Sequence, residues 1–386
     1  MTPEKAQRHM AKWGAVLTGG DKLIPSTLAD FLPLSDYRRP IRFSAVYFPA
    51  WIINAELEAN VTYEKLQQNA VTVFRNSYVP GAHMPVLSAA PLWSPDQDAY
   101  EPVPFTEALL HQHGEEVQCI PFTVSPFSLL DIPKSSEDST WSIAQYLHVR
   151  PSTIKPTLFS AAPLLVPVYL AQYELGRLEA GDKTGETVTL FIQAHINGGG
   201  IMAERLSNTE GPAGSAFQMF NSLGLSKDFD LDAEVLDLSI VAPNRVHVES
   251  TSLRPIKDST SAITDWLESF LRSSHYIEKL AAMGQLESDD DPRIRELTEE
   301  EEDVLTEYFR LGSEIGMIKR IVDAMAEASE NTRVIQIGQG ALPKLESAEQ
   351  ASSTLKAKLK ELEAKRAEVK PSWWKEWEAS SSQQKS

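Results

Sequence analysis

The spacing of apolar residues changes once along the chain, near residue 255. Before that point, short β-branched and aromatic runs alternate with turn residues, the pattern of strands. Residues 43–57, 70–74, 117–124, 164–175 and 187–196 are the clearest runs. After it, helix formers dominate and apolar residues recur every three or four positions. Ile263, Trp266, Leu267, Phe270 and Leu271 predict one helix over 261–286. Thr298 and Glu301 have the spacing of a capping box, so a second helix starts there and runs through Leu305, Tyr308, Phe309 and Ile315 towards residue 328. A third covers 345–369, and the Ser/Gln-rich stretch 380–386 predicts no regular structure. The expected organisation is an N-terminal helix and loop at 1–40, a β-rich module at 41–255, a helical region at 256–379 and a disordered tail. The fold class is α+β, with a long terminal helix.

Within the β-rich part the chain matches itself. Val46-Tyr-Phe-Pro-Ala-Trp-Ile-Ile-Asn-Ala-Glu-Leu57 aligns without gaps on Leu164-Leu-Val-Pro-Val-Tyr-Leu-Ala-Gln-Tyr-Glu-Leu175, at an offset of 118. A second apolar run follows each copy, at 71–74 and 188–191. Two copies are too few for a solenoid, so the match predicts a duplicated β-unit whose halves pack together. The repeated strand, with Tyr47-x-Pro49-x-Trp51 in its first copy, and the later His195-Ile-Asn-Gly-Gly-Gly stretch resemble the β-domain of bacterial zinc-ribbon proteins described as helicase-related and of unknown function. The resemblance covers residues 43–75 and 160–206 and implies a fold. The paired cysteines of the zinc ribbon are missing here, so no zinc or nucleic-acid role carries over.

Composition narrows the function classes. The chain has 386 residues, room for two or three domains, with 42% hydrophobic and 23% charged residues. Its formal net charge of −18 argues against a general nucleic-acid binder and against attachment to anionic lipid by charge alone. Cys119 is the sole cysteine, which excludes an intrachain disulfide and a multi-cysteine zinc site. No apolar run reaches the length of about 18–20 residues that spans a bilayer; the nearest, 157–171, is interrupted by Pro163 and Pro167. Lys5, Arg8, His9 and Lys12 give the first segment a basic face, read as a solvated helix or a matrix-targeting one. The expected setting is intracellular, cytoplasm or mitochondrial interior, rather than secreted.

Candidate chemistry is thin. His111 and His113, with Glu115 and Cys119 behind them, have the best metal-like spacing, because residues two apart on a strand share a side. No third ligand is dictated, and a polar loop accounts for the same residues. Asn197 and the three glycines after it lack the fingerprint of a nucleotide loop and predict a hairpin turn. Asp228, Asp230 and Asp232 open like a calcium loop, but Ala233 and Ser239 stand where such a loop needs Gly and Glu. Cys119 with His111 or His113 could form a nucleophile and base, yet its apolar run favours a small buried residue. The ten carboxylates of 287–303 suit a helix N-terminus and leave room for docking a basic partner.

The C-terminus carries the strongest interaction signal. Leu355, Leu359 and Leu362 form a sparse stripe among lysines and glutamates, suited to folding back or to pairing as a coiled coil. Trp373, Trp374 and Trp377 follow, three large aromatics suited to a groove on this chain or on a partner. The expectation is a non-enzymatic assembly or scaffold protein that binds a protein partner through these six residues, with no cofactor. The alternatives are a metal-dependent hydrolase at His111 and His113, and a small-molecule carrier in which Tyr47, Trp51, Tyr169 and Tyr173 enclose a ligand.

Overall fold

The computed structural model describes residues 1–18, 22–32, 36–94, 102–134, 139–174, 187–196, 200–204, 235–237, 244–253, 256–283, 291–331 and 342–384. It has the α+β architecture read from the sequence. Two long strands organise it: β1 (Arg42–Tyr63) and β8 (Lys155–Glu174), of 22 and 20 residues. Each spans roughly 70 Å when extended, far longer than the usual strand. Among the described residues ten strands make one sheet, with β11 (Val235–Asp237), β10 (Ile201–Glu204), β9 (Thr187–Gln193), β8, β1, β2 (Leu66–Pro80) and β12 (Val248–Thr251) in spatial order. Both edges of β1 are filled along its length, by β5 (Gln118–Cys119) then β2 on one side, and by β8 then β7 (Leu147–Val149) on the other. That explains why a strand with so many apolar residues on both faces is stable.

The internal match has a geometric counterpart. β1 and β8 run antiparallel, and Phe48 is paired with Val166, the residue 118 positions later in the alignment. Val46 opposes Val168 and Ala50 opposes Leu164, so the two matched segments are related by a local two-fold axis between Phe48 and Val166. Hairpins extend this outward, β2 beside β1 and β9 beside β8. The second runs do not correspond as the alignment suggested. Ala50 pairs with Pro80 and its counterpart Val168 pairs with Gln193; followed through the pairing, Val188 matches Phe74 and Phe191 matches Tyr78, so Val188–Phe191 is set against 74–78 rather than 71–74.

Two backbone devices shape β2. The β1–β2 connection is the two-residue turn Glu64-Lys65, with φ of 50° and 89°, the left-handed geometry that matches the twist of a hairpin. Further along, Ile53 pairs with Ser77 but Ala55 pairs with Phe74, so Arg75 and Asn76 bulge opposite Asn54. Asn76 has φ 45°; its amide donates to Asn54 Oδ1 at 3.0 Å.

Helices cover both faces. α1 (Pro3–Leu17) buries Ala6, Met10 and Leu17 with Tyr169, Tyr173 and Leu190, and the N-terminal amine donates to the Ala194 carbonyl at 2.7 Å. Gly14 is required there, since a Cβ would stand 2.4 Å from the Tyr173 ring. α2 (Leu23–Leu28) follows. α3 (Pro85–Ala89) and α4 (Ser128–Asp131) are short. The single helix expected over 261–286 is two, α5 (Ile256–Arg272) and α6 (Ser274–Met283). The capping box forms as read: the Thr298 amide donates to Glu301 Oε2 at 3.1 Å and the Glu301 amide to Thr298 Oγ1 at 3.3 Å. It starts α7 (Glu299–Asn331), which packs on α8 (Leu342–Glu368). α9 (Ser372–Gln384) runs through most of the tail expected to be disordered, because its tryptophan turn is anchored in the core. Among the described residues no helix is long and apolar enough to cross a membrane.

Candidate functional site

The tryptophans expected to bind a partner lie in the chain's own core. Trp373 and Trp374 are 2% and 1% exposed, in the cluster that also holds Trp51, Phe159 and Phe309. Trp377 packs against that cluster, and the Arg293 guanidinium is sandwiched between its ring and Phe127, at 4.5 and 3.9 Å from the ring centroids. Residues 293–295 are themselves pinned to the free edge of β8: the Ala161 amide donates to the Arg293 carbonyl, and the Arg295 amide to the Ala161 carbonyl. The partner-binding assignment of Trp373 and Trp374 is therefore corrected; their groove is on this protein. Leu355, Leu359 and Leu362 are half-buried on α8, whose ion pairs Lys319–Glu363, Glu314–Lys358 and Glu307–Lys365 tie it to α7.

His111 and His113 do not share a strand face, and the side chain of Glu115 lies outside what the structure describes. β3 (His111–Gln112) and β4 (Glu115–Glu116) form a tiny hairpin whose turn is His113-Gly114, both at positive φ. His113 thus serves the turn, and it no longer shares a strand face with His111. Among the described residues no group of three His, Cys, Asp or Glu could hold a metal. Cys119 is exposed on β5 rather than buried, and partial burial of its sulfur pushes the thiol pKa up, which disfavours the thiolate a nucleophile needs. β9 and β10 pair antiparallel, so the chain reverses between them; Asn197 and two of the glycines after it lie outside the described residues, as do Asp228, Asp230 and Asp232.

Sequence reasoning missed a cavity. A space of about 210 Å³ lies between one face of the β1–β2 hairpin, α5, α4 and the small hairpin of β6 (Trp141–Ala144) and β7. Alternate residues of β1 face it, from Ile53 through Ala55, Leu57 and Ala59 to Val61. On β2 the facing residues are Ala70, Thr72 and Phe74, then Ser77 and Val79. The switch from even to odd numbers is the work of the Arg75-Asn76 bulge: one extra residue keeps both halves of the strand turned to the same side. All five residues of the stripe read on α5, Ile263, Trp266, Leu267, Phe270 and Leu271, form the opposite wall. Trp141 and Trp266 are half-buried there, with ring centroids 5.3 Å apart.

Among the described residues no charged side chain lines this space, and its polar side chains are Thr72 and Ser77. The Ser77 hydroxyl is occupied, accepting from the His247 amide at 3.1 Å. Tyr47, Trp51, Tyr169 and Tyr173, the aromatics expected around a ligand, are all buried in the core and none faces the cavity.

On the opposite face, under α7, a second space of about 190 Å³ is bounded by Glu56, Val71, Val73, Glu249, Gly312, Gly316 and Arg320. Its deepest charge is already answered: Glu56 accepts from Arg366 at 2.5 Å and from the Thr157 hydroxyl at 2.6 Å. No family model matches the chain, and neither the curated proteins nor the solved structures compared with it include one that is similar.

Proposed function

We propose that the protein is a non-enzymatic binding protein that holds an apolar small molecule, or the hydrocarbon part of an amphiphile, in the cavity between the β1–β2 hairpin and α5. The observation that carries this reading is the lining: about 210 Å³ bounded, among the described residues, by aliphatic and aromatic side chains with two hydroxyls, Thr72 and Ser77, and no charged group. A folded chain normally fills such a space, since each void forfeits packing contacts and destabilises the core. Apolar cavities of about 150 Å³ take up benzene, so this one has room for a longer hydrocarbon segment. Burying it would contribute about 25 cal/mol for each Å² removed from water. Beside the hydroxyls of Thr72 and Ser77 the described lining offers a ligand little to hydrogen-bond, which favours a hydrocarbon segment there.

The assembly reading drew on the C-terminal tryptophans. With Trp373 and Trp374 buried, what remains for it is the charged surface of α8.

Solvent extraction of protein purified gently from its own cells, followed by mass spectrometry, tests the carrier reading. A hydrocarbon-rich compound in stoichiometric amount, reduced at least severalfold in an Ala59→Phe variant that melts like the wild type, is the expected result. The same amount in both would overturn the assignment to this cavity.

A further inference from the structure

The N-terminal segment presents its apolar side to water. In α2 and the turn after it, Ile24, Leu28, Phe31 and Leu32 are 75%, 43%, 81% and 50% exposed. Their spacing puts them on one helical face, and the Phe31 and Leu32 amides both donate to the Leu28 carbonyl, which continues the helical path beyond α2. The side turned to the protein carries instead the small residues Ser26 and Ala29, both fully buried. A surface helix of a soluble domain does the reverse, burying its apolar stripe and exposing its polar one. A cluster of large aliphatic and aromatic side chains exposed to this degree marks a surface that something covers.

Charge identifies what. Residues 1–42 hold seven Lys and Arg (Lys5, Arg8, Lys12, Lys22, Arg38, Arg39 and Arg42) against four acids, in a chain whose net charge is −18. Asp36 pairs with Lys22 at 2.5 Å, and Asp30 lies 2.9 Å from His9 Nδ1. The cationic stretch Arg38-Arg39 is held against α2, the Arg38 amide donating to the Ser26 hydroxyl at 2.9 Å, just ahead of the first residue of β1. Elsewhere the protein is strongly acidic, so an anionic surface would attract this end and repel the rest. We propose that Ile24, Leu28, Phe31 and Leu32 insert into the interface of a bilayer containing anionic lipid, with Arg39, Arg42 and Lys5 on its headgroups. Such elements lie in the interface with the apolar face sunk about 5–10 Å, and each flanking cation adds on the order of 1 kcal/mol. The cavity wall begins at Ile53, eleven residues up β1 from Arg42, roughly 35 Å away, so the docking face and the cavity are separate sites.

Flotation of the full chain with vesicles tests this. Wild type should float with phosphatidylcholine vesicles containing phosphatidylserine and remain at the bottom with phosphatidylcholine alone. The double variant Ile24→Ser/Phe31→Ser changes exposed side chains and keeps the fold, as a wild-type melting curve would verify; it should lose roughly tenfold in bound fraction. Arg39→Glu/Arg42→Glu should lose a similar share, and added salt should weaken the wild type. Ala59→Phe should bind vesicles normally, which separates this proposal from the cavity reading. Absence of flotation, or flotation indifferent to Ile24→Ser/Phe31→Ser, would overturn it. So would a self-association or protein capture that this variant abolishes in a chain that does not float, since the face would then be a protein interface.

Discussion

Glu56 lies on the central strand with 1% of its surface exposed, and its partner Arg366 comes from α8, 310 residues later in the chain. The guanidinium also donates to the Tyr308 carbonyl and lies over that ring, 4.1 Å from its centroid. A Cβ on Gly312 would stand 2.9 Å from both ends of the ion pair, so α7 passes over it only because that residue has no side chain. Removing one partner strands the other charge in a low-dielectric site. We expect Arg366→Met to lower stability by about 2–4 kcal/mol, read from denaturant midpoints. Adding Glu56→Leu should restore much of that loss, and simple additivity of the two changes would contradict the pairing. Arg245 works in a similar way elsewhere. Fully buried, it donates to the Ala89 and Leu271 carbonyls, tying α3 to the end of α5, while Glu268 accepts from its backbone amide. Burial pulls its pKa down to about 10, with Glu268 opposing the shift.

The β1–β2 hairpin turns on Glu64 and Lys65, residues with a Cβ held at positive φ. Each such residue costs on the order of 1 kcal/mol relative to one that tolerates the left-handed region. Glu64→Asn/Lys65→Gly should therefore raise the denaturant midpoint by an amount equivalent to about 1 kcal/mol; a loss would mean that the turn has another geometry. This turn explains why the long strands were read short. Residues 43–57 carry the apolar signal, whereas 58–70 is polar enough to look like a loop, and Tyr-Glu-Lys-Leu has none of the Asn-Gly marks of a tight turn. The α7 start was legible because a capping box is local chemistry, and the α5 stripe was legible because helical spacing is. What the α5 stripe faces was not. A cavity is the difference between facing surfaces that come from strands some 200 residues away, and it depends on a one-residue bulge at Arg75-Asn76 that no periodicity announces. The internal match announced an association of like segments, and the paired register of Phe48 with Val166 is its geometric form.

One core cluster is closed by α9. α9 contributes Trp373 and Trp374 to the cluster that holds the sheet, α5, α6 and α7, and Arg293 links Trp377 to Phe127 across the strap at 293–295. Truncating one buried tryptophan typically costs about 3–5 kcal/mol, while whole domains are stable by only about 5–15. A chain ending at Lys370 should thus fail to melt cooperatively by circular dichroism, whereas an unchanged melt would show that the tail is dispensable to the fold. The tryptophans' spacing advertised an anchor in a groove; only the assembled sheet could show whose groove it is. With that anchor inside, the described residues present an apolar cavity towards one end of β1 and an exposed apolar wedge towards the other. The decisive measurement concerns the cavity. Titration with phenylnaphthylamine should give saturable fluorescence enhancement at one site per chain, accompanied by quenching of Trp266 and Trp141, and both signals should vanish in a folded Ala59→Phe variant. Saturable binding that persists in that variant, or no binding by the wild type, would contradict a ligand-holding cavity under the β1–β2 hairpin.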